Sequence, residues 1–213
     1  MAYGLILLVI WTHHPWQRFL WVLAAAFVAA ITWASPEDRD GMGLRAANLL
    51  RSLWVAAAAM GVAAAALAVA GTLHTLHMPA GPLQFVETYI GYAVWSFGQQ
   101  FLLQAVFLSR LLRLARKPHS AALLAALVFS AAHLPNPILV PVTLLFGFAA
   151  CLVFLRYRNL YALALAHAIL GITIATTIPG PVLHNMRVGL SYLAYKRPLH
   201  ATAAPLRGGS PQP

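Results

Sequence analysis

Long apolar runs separated by short polar loops restrict the possible folds of this chain more than any other feature. These runs lie at residues 16–34, 46–70, 83–108, 138–155 and 160–178. A helix needs about 20 apolar residues to cross the hydrocarbon core of a bilayer, and a single segment of this kind satisfies its backbone in lipid only as a helix. The runs lack the alternation typical of strands. The sequence therefore predicts an all-α fold, a polytopic transmembrane helical bundle.

Shorter apolar segments accompany the long runs, at residues 2–11, 119–133 and 182–195. The first is about half as long as a membrane span, and we expect the last to be one interfacial or partly inserted helix. With these segments, about six to eight membrane helices are expected in a single transmembrane domain over residues 1–200. Residues 201–213 have the composition of a disordered tail.

The composition excludes a soluble globular domain. Charged residues make up 8% of the chain and apolar residues 61%, whereas a soluble domain carries about 25% charged residues. Lipid must therefore cover most of the exterior. The formal net charge of +10 would also suit nucleic acid, but basic loops beside apolar spans are typical of membrane proteins. We expect the lipid bilayer as a partner and no nucleic-acid binding.

Basic residues alternate between the loops. Lys and Arg occur in the loops at residues 35–46, 109–118 and 156–159, and are missing from those at 71–82, 134–137 and 179–181. Cytoplasmic loops carry the excess of Lys and Arg. We therefore expect a multi-pass protein of a prokaryotic plasma membrane with its basic loops in the cytoplasm, although the basic segment after Pro181 does not fit the alternation.

Polar side chains at membrane depth are the candidate functional residues, because each of them costs free energy in lipid. They are Gln99, Gln100, Gln104, His133 and His167. A rise of about 1.5 Å per residue places them near one mid-membrane level on three different helices. A shared polar site is one interpretation, and hydrogen bonding that merely joins helices is the other.

Three strings of sequence contain these residues. Residues 98–104 read GQQFLLQ, residues 129–133 read FSAAH, and His167 lies on the helix that follows Asn159. In order, spacing and helical setting they resemble the motifs EExxxR, FxxxH and HxxxN of the CPBP intramembrane proteases, which include the type II CAAX prenyl endopeptidases and the Abi-like proteins. The resemblance covers about residues 85–178.

The resemblance implies an endopeptidase that acts on membrane-associated peptides or proteins. In the family a glutamate activates water for attack on a peptide carbonyl, and histidine and asparagine side chains assist that step and stabilise the oxyanion. Carried over to this chain, the catalytic residues are His133, His167, Gln99, Gln100 and Gln104.

The sequence departs from the family motifs at the reactive groups. Glutamine replaces both glutamates, Gln104 replaces the arginine, and Gly171 replaces the asparagine. A glutamine cannot deprotonate water near neutral pH. The only carboxylates of the chain lie elsewhere, at Glu37, Asp38, Asp40 and Glu87. Glu87 is about 18 Å from Gln99 along the same helix. Replacing both glutamates and the arginine together removes buried charges that would have required oppositely charged partners.

Several functions stay open at this point. The chain is an endopeptidase with a histidine as the base, a pseudoprotease that binds or regulates a membrane partner, or a small transporter that uses the polar level. His133 and His167 are also candidate ligands for a divalent metal or a haem. A glutamine amide is a poor metal ligand, and we expect no cysteine near the histidines. The alternative is therefore a site without any cofactor.

Overall fold

The computed structural model describes residues 1–13, 15–35 and 37–195, and its regular structure in these ranges is entirely helical. The α-helices are α1 (Ala2–Ile10), α2 (Trp16–Trp33), α3 (Leu49–Ser52), α4 (Trp54–Thr72), α5 (Pro82–Phe101), α6 (Ser109–Leu114), α7 (Pro118–Ala131), α8 (Leu139–Tyr157), α9 (Leu160–Thr177), α10 (Gly180–Leu183) and α11 (Gly189–Leu193). A π-helix, Leu102–Leu108, joins α5 to α6, and 3₁₀ turns occupy Ala46–Asn48 and His184–Met186. The prediction of an all-α bundle is confirmed.

Four helical segments of the described chain are long and apolar enough to cross a membrane. They are Trp16–Trp33, Leu49–Thr72, Leu139–Tyr157 and Leu160–Thr177. The expected six to eight membrane helices also include α5 and α7. Helix α5 has 20 residues, but its polar side chains lower its hydropathy, and α7 has 14 residues. The prediction of an integral membrane protein is confirmed by these apolar helices.

Helix α9 lies at the centre of the bundle, and α2 lies at its edge. Of the residues of α9, 56% are buried, compared with 6% of those of α2. Helix α9 packs against both α4 and α5, while α7 packs against α8. Small residues such as Ala162, Ala166 and Gly171 are buried on α9, and small side chains let membrane helices approach one another closely. The central position of α9 brings His167 into the interior of the bundle.

The three basic loops lie together at one end of the bundle. Arg113 Nη2 donates to Glu37 Oε1 over 2.9 Å, and Asn159 Nδ2 donates to the Arg45 carbonyl over 3.1 Å. At the opposite end the His77 amide donates to the Thr176 carbonyl over 3.0 Å. The loops at residues 35–46, 109–118 and 156–159 thus share one end of the bundle, whereas Arg187 lies at the other end, bonded through its carbonyl to Asn136.

The chain after Pro179 differs from its prediction. We expected one helix over residues 182–195, but α10 and α11 are separate and short. His184, Asn185 and Met186 between them have φ values of 52°, 48° and 58°, and such left-handed backbone interrupts a right-handed helix. The expected tail at residues 201–213 lies outside the described residues.

Candidate active site

The site is built around a buried hydrogen bond between α5 and α9. Gln100 Nε2 lies 3.1 Å from His167 Nδ1, and the two residues are 0% and 6% exposed. An amide nitrogen can only donate, so Nδ1 of His167 accepts. The neutral ring of His167 then carries its proton on Nε2. This bond joins two of the strings that the sequence singled out, which are 67 residues apart.

Gln104 extends this bond into a chain of uncharged groups. Its Nε2 donates to Gln100 Oε1 over 3.2 Å, and the Gln104 side chain is fully buried. Gln104 belongs to the π-helix, and its carbonyl accepts a hydrogen bond from Ser109 Oγ over 3.1 Å. Single π-turns inside helices are common at functional sites. The Cys151 thiol lies beside Gln104.

His133 approaches from the turn that follows α7. Its Nδ1 lies 2.8 Å from the Phe129 carbonyl. A carbonyl can only accept, so the Nδ1 of His133 is the protonated nitrogen and Nε2 keeps a lone pair. The Phe129 ring meets the His133 ring edge to face, with centroids 4.9 Å apart. The two histidines therefore present opposite functions at Nε2, an acceptor on His133 and a donor on His167.

A cavity of about 1640 Å³ connects the candidate residues, and its lining is mostly apolar. Gln99, His133 and His167 line this cavity, whereas Gln100 and Gln104 lie behind its wall. The five predicted residues thus divide into two groups. Three can touch a bound molecule, and two hold His167 in place.

Phe129 and two further aromatic side chains that the sequence did not single out surround His167. Its ring centroid lies 5.9 Å from that of Phe129, 5.1 Å from that of Phe146 and 6.3 Å from that of Tyr92. Tyr92 precedes Gln100 by two turns on the same face of α5, because residues four apart are stacked. That spacing was a usable signal for Tyr92. Phe146 carries no comparable signal, since its position depends on how α8 packs.

The carboxylates stay away from the histidines. Glu87 is exposed on α5. Glu37 and Asp38 line the cavity only at its charged end, where Glu37 pairs with Arg113. Arg113 lies about 21 Å beyond Gln99 at the rise of a helix. In the described part of the chain, no carboxylate hydrogen-bonds to either histidine or to any of the three glutamines.

The two histidines make an incomplete metal site. His133 has the arrangement typical of a ligand, with Nδ1 donating to a carbonyl and Nε2 free. His167 has the opposite arrangement, because its Nδ1 accepts from Gln100. Within the described ranges, no three His, Cys, Asp or Glu side chains are grouped to hold a metal ion. His133 and His167 thus supply two of the three or four protein ligands that a zinc site uses.

Comparison with known proteins adds one finding. The family model described as type II CAAX prenyl endopeptidase Rce1-like matches residues 81–173. The matched region runs from the start of α5 into α9 and includes all five predicted site residues. No curated protein and no solved structure matches the chain.

Proposed function

We propose that the chain is an intramembrane endopeptidase in which a histidine replaces the glutamate base, because residues 81–173 match the type II CAAX prenyl endopeptidase Rce1-like family model. The observation that carries this proposal is the pair of histidines on one cavity. His133 offers a lone pair at Nε2, and His167 offers a proton at Nε2. A hydrolytic site needs both a base for water and a donor for the oxyanion.

The chemistry follows from these two roles. His133 Nε2 takes a proton from water while the water oxygen attacks the peptide carbonyl. The Nε2 proton of His167 meets the oxygen that becomes negative, and the Gln99 amide on the same wall orients the reactants. His133 then gives its proton to the leaving amine as the carbon–nitrogen bond breaks. Gln100 and Gln104 hold His167 in the tautomer that can donate.

The substrate in this proposal is a membrane-associated peptide or protein. The apolar lining of the cavity suits a chain that stays in lipid, and the cavity extends from the basic loops, at Arg39, to the opposite end of the bundle, at His77. We place these loops in the cytoplasm of a prokaryotic cell, since Lys and Arg concentrate on that side of plasma membranes.

Purified protein in liposomes, supplied with membrane-anchored peptides that carry a fluorophore and a quencher, tests the proposal. His133→Ala and His167→Ala should each lower kcat about 100-fold or more, which is typical for loss of a general base or an oxyanion donor. His119→Ala is the matched control, because His119 is an exposed histidine near the start of α7. Folded variants that cleave as fast as His119→Ala would contradict the proposal.

A pseudoprotease is the second candidate, and the uncharged chain of Gln104, Gln100 and His167 favours it. Such a site binds a peptide without supplying a strong base. Gln99→Glu separates the two candidates, because it places a carboxylate on the cavity wall. A pseudoprotease should bind anchored peptides, cleave none of them and gain cleavage only with Gln99→Glu. If the chain is an endopeptidase, the wild-type protein should already cleave the anchored peptides.

A further inference from the structure

Tyr92 occupies the space next to Gly171. A methyl group added at Gly171 would overlap the Tyr92 side chain, and the three atoms nearest to it all belong to Tyr92, with the hydroxyl closest. Residue 171 must therefore be glycine as long as Tyr92 keeps this position. The two residues meet where α5 packs against α9.

The Tyr92 side chain lies beside His167 on the wall of the cavity. Tyr92, Gly171 and His167 line the same cavity. The rings of Tyr92 and His167 are nearly perpendicular, with an interplanar angle of 88° and centroids 6.3 Å apart. The hydroxyl of buried Ser96 donates a hydrogen bond to the Tyr92 backbone carbonyl over 2.9 Å. The Ser96 hydroxyl is thus bonded to the backbone of this turn of α5. A glycine at 171 cannot supply a side-chain donor, whereas the phenol beside it can.

We propose that Tyr92 is a further catalytic residue, whose hydroxyl donates a hydrogen bond to the oxygen of the peptide carbonyl under attack. This inference rests on the proposed endopeptidase function. Tyr92 and the Nε2 proton of His167 would then form a two-donor site, the usual arrangement for a developing oxyanion. Gly171 belongs to this arrangement because it leaves the volume that the phenol needs.

Tyr92→Phe tests the inference, because it keeps the ring and its packing and removes only the hydroxyl. We expect kcat to fall about 100-fold with a KM within about twofold of the wild-type value, as for a donor used only in the transition state. Tyr161→Phe is the matched control. Its hydroxyl donates to the Leu44 carbonyl at the charged end and lies outside the cavity.

A rescue variant guards against misfolding. Tyr92→Ala opens the space over position 171, and Tyr92→Ala combined with Gly171→Asn places an amide donor there. The kcat of the double variant should be at least tenfold higher than the kcat of Tyr92→Ala. An unchanged kcat in Tyr92→Phe would overturn the inference while leaving the endopeptidase proposal intact.

A binding measurement keeps the two proposals distinguishable. If the wild type cleaves no peptide, the proposed function fails, and Tyr92 is judged by affinity for a peptide phosphonate, which mimics the tetrahedral anion. Tyr92→Phe should weaken phosphonate binding at least tenfold and leave binding of the parent peptide unchanged. Equal phosphonate affinity in the wild type and Tyr92→Phe would overturn the role of the hydroxyl.

Discussion

Individual side chains decide the chemistry of this site through their hydrogen-bond partners. His133 and His167 are the same residue type, yet one bonds a carbonyl and the other an amide nitrogen. The partner at Nδ1 fixes which nitrogen carries the proton and thus what Nε2 can do. Gln100 is central, because it holds His167 with one end of its amide and Gln104 with the other.

Gln100→Leu should therefore destabilise the protein. It leaves His167 Nδ1 and Gln104 Nε2 without partners in a buried setting, and each unsatisfied group costs about 1–3 kcal/mol. We expect a loss of about 2–4 kcal/mol in the free energy of unfolding, measured by denaturant titration in detergent. Gln84→Leu on the exposed part of α5 is the control. Equal unfolding midpoints for the two variants would contradict the importance of this chain of bonds.

Among the structural elements, the junction between α7 and α8 is held together by one buried asparagine. Asn136 is fully buried there. Its Oδ1 accepts from the amides of Ile138 and Leu139 at the start of α8, each over 3.1 Å. Its Nδ2 donates to the carbonyls of Leu183 and Arg187 over 2.9 and 3.2 Å. The Asn136 side chain thus caps the start of α8. It also holds residues 182–195, the folded-back segment after α9, close to His133.

Asn136→Ala should loosen both attachments at once. A lost helix cap costs about 0.5–2 kcal/mol, and the two freed carbonyls add to that, so a total of about 2–3 kcal/mol is expected. The same denaturant titration measures it. Asn48→Ala, which removes an exposed bond to the Tyr157 carbonyl, should cost less than about 1 kcal/mol. A smaller effect at Asn136 than at Asn48 would refute this account of the junction.

Features of the site that depend on helical spacing within one segment could be predicted from the sequence. Polar residues at helical spacing and matched depth placed Gln100 and His167 on facing helices, and the structure shows them bonded. Contacts that depend on the packing of distant segments could not be predicted from the sequence. Nothing in the sequence indicated that Cys151 lies beside Gln104, or that Gly171 makes room for Tyr92.

The folded-back segment after α9 shows the same limit. Residues 182–195 have an apolar composition that suits a helix, but three consecutive residues with positive φ divide them. His184 and Asn185 belong to residue types that tolerate left-handed backbone, and Gly189 in the same segment also has a positive φ of 56°, so the sequence carried a weak sign of the break. The bonds from Asn136, which lies 47 residues before Leu183, are what hold the segment in this shape.

For the molecule as a whole, burial is distributed unevenly around the cavity. Helices α5 and α9 form a packed side, whereas α2 contributes to the cavity lining and buries only Ala24. Near the charged end α2 is attached through Arg110 Nη2, which donates to the Ile31 carbonyl over 3.2 Å. The cavity is thus enclosed by one firmly packed wall and one weakly packed wall.

The weak packing of α2 has a consequence that a water-soluble protein would not share. In a bilayer, apolar side chains that leave a protein contact meet acyl chains of similar polarity, so the separation carries no hydrophobic penalty. Tilting α2 outward therefore costs little more than its few polar bonds and the dispersion contacts it gives up. Under the proposed function, a lipid-dissolved substrate that entered beside α2 would reach the cavity without crossing an aqueous phase.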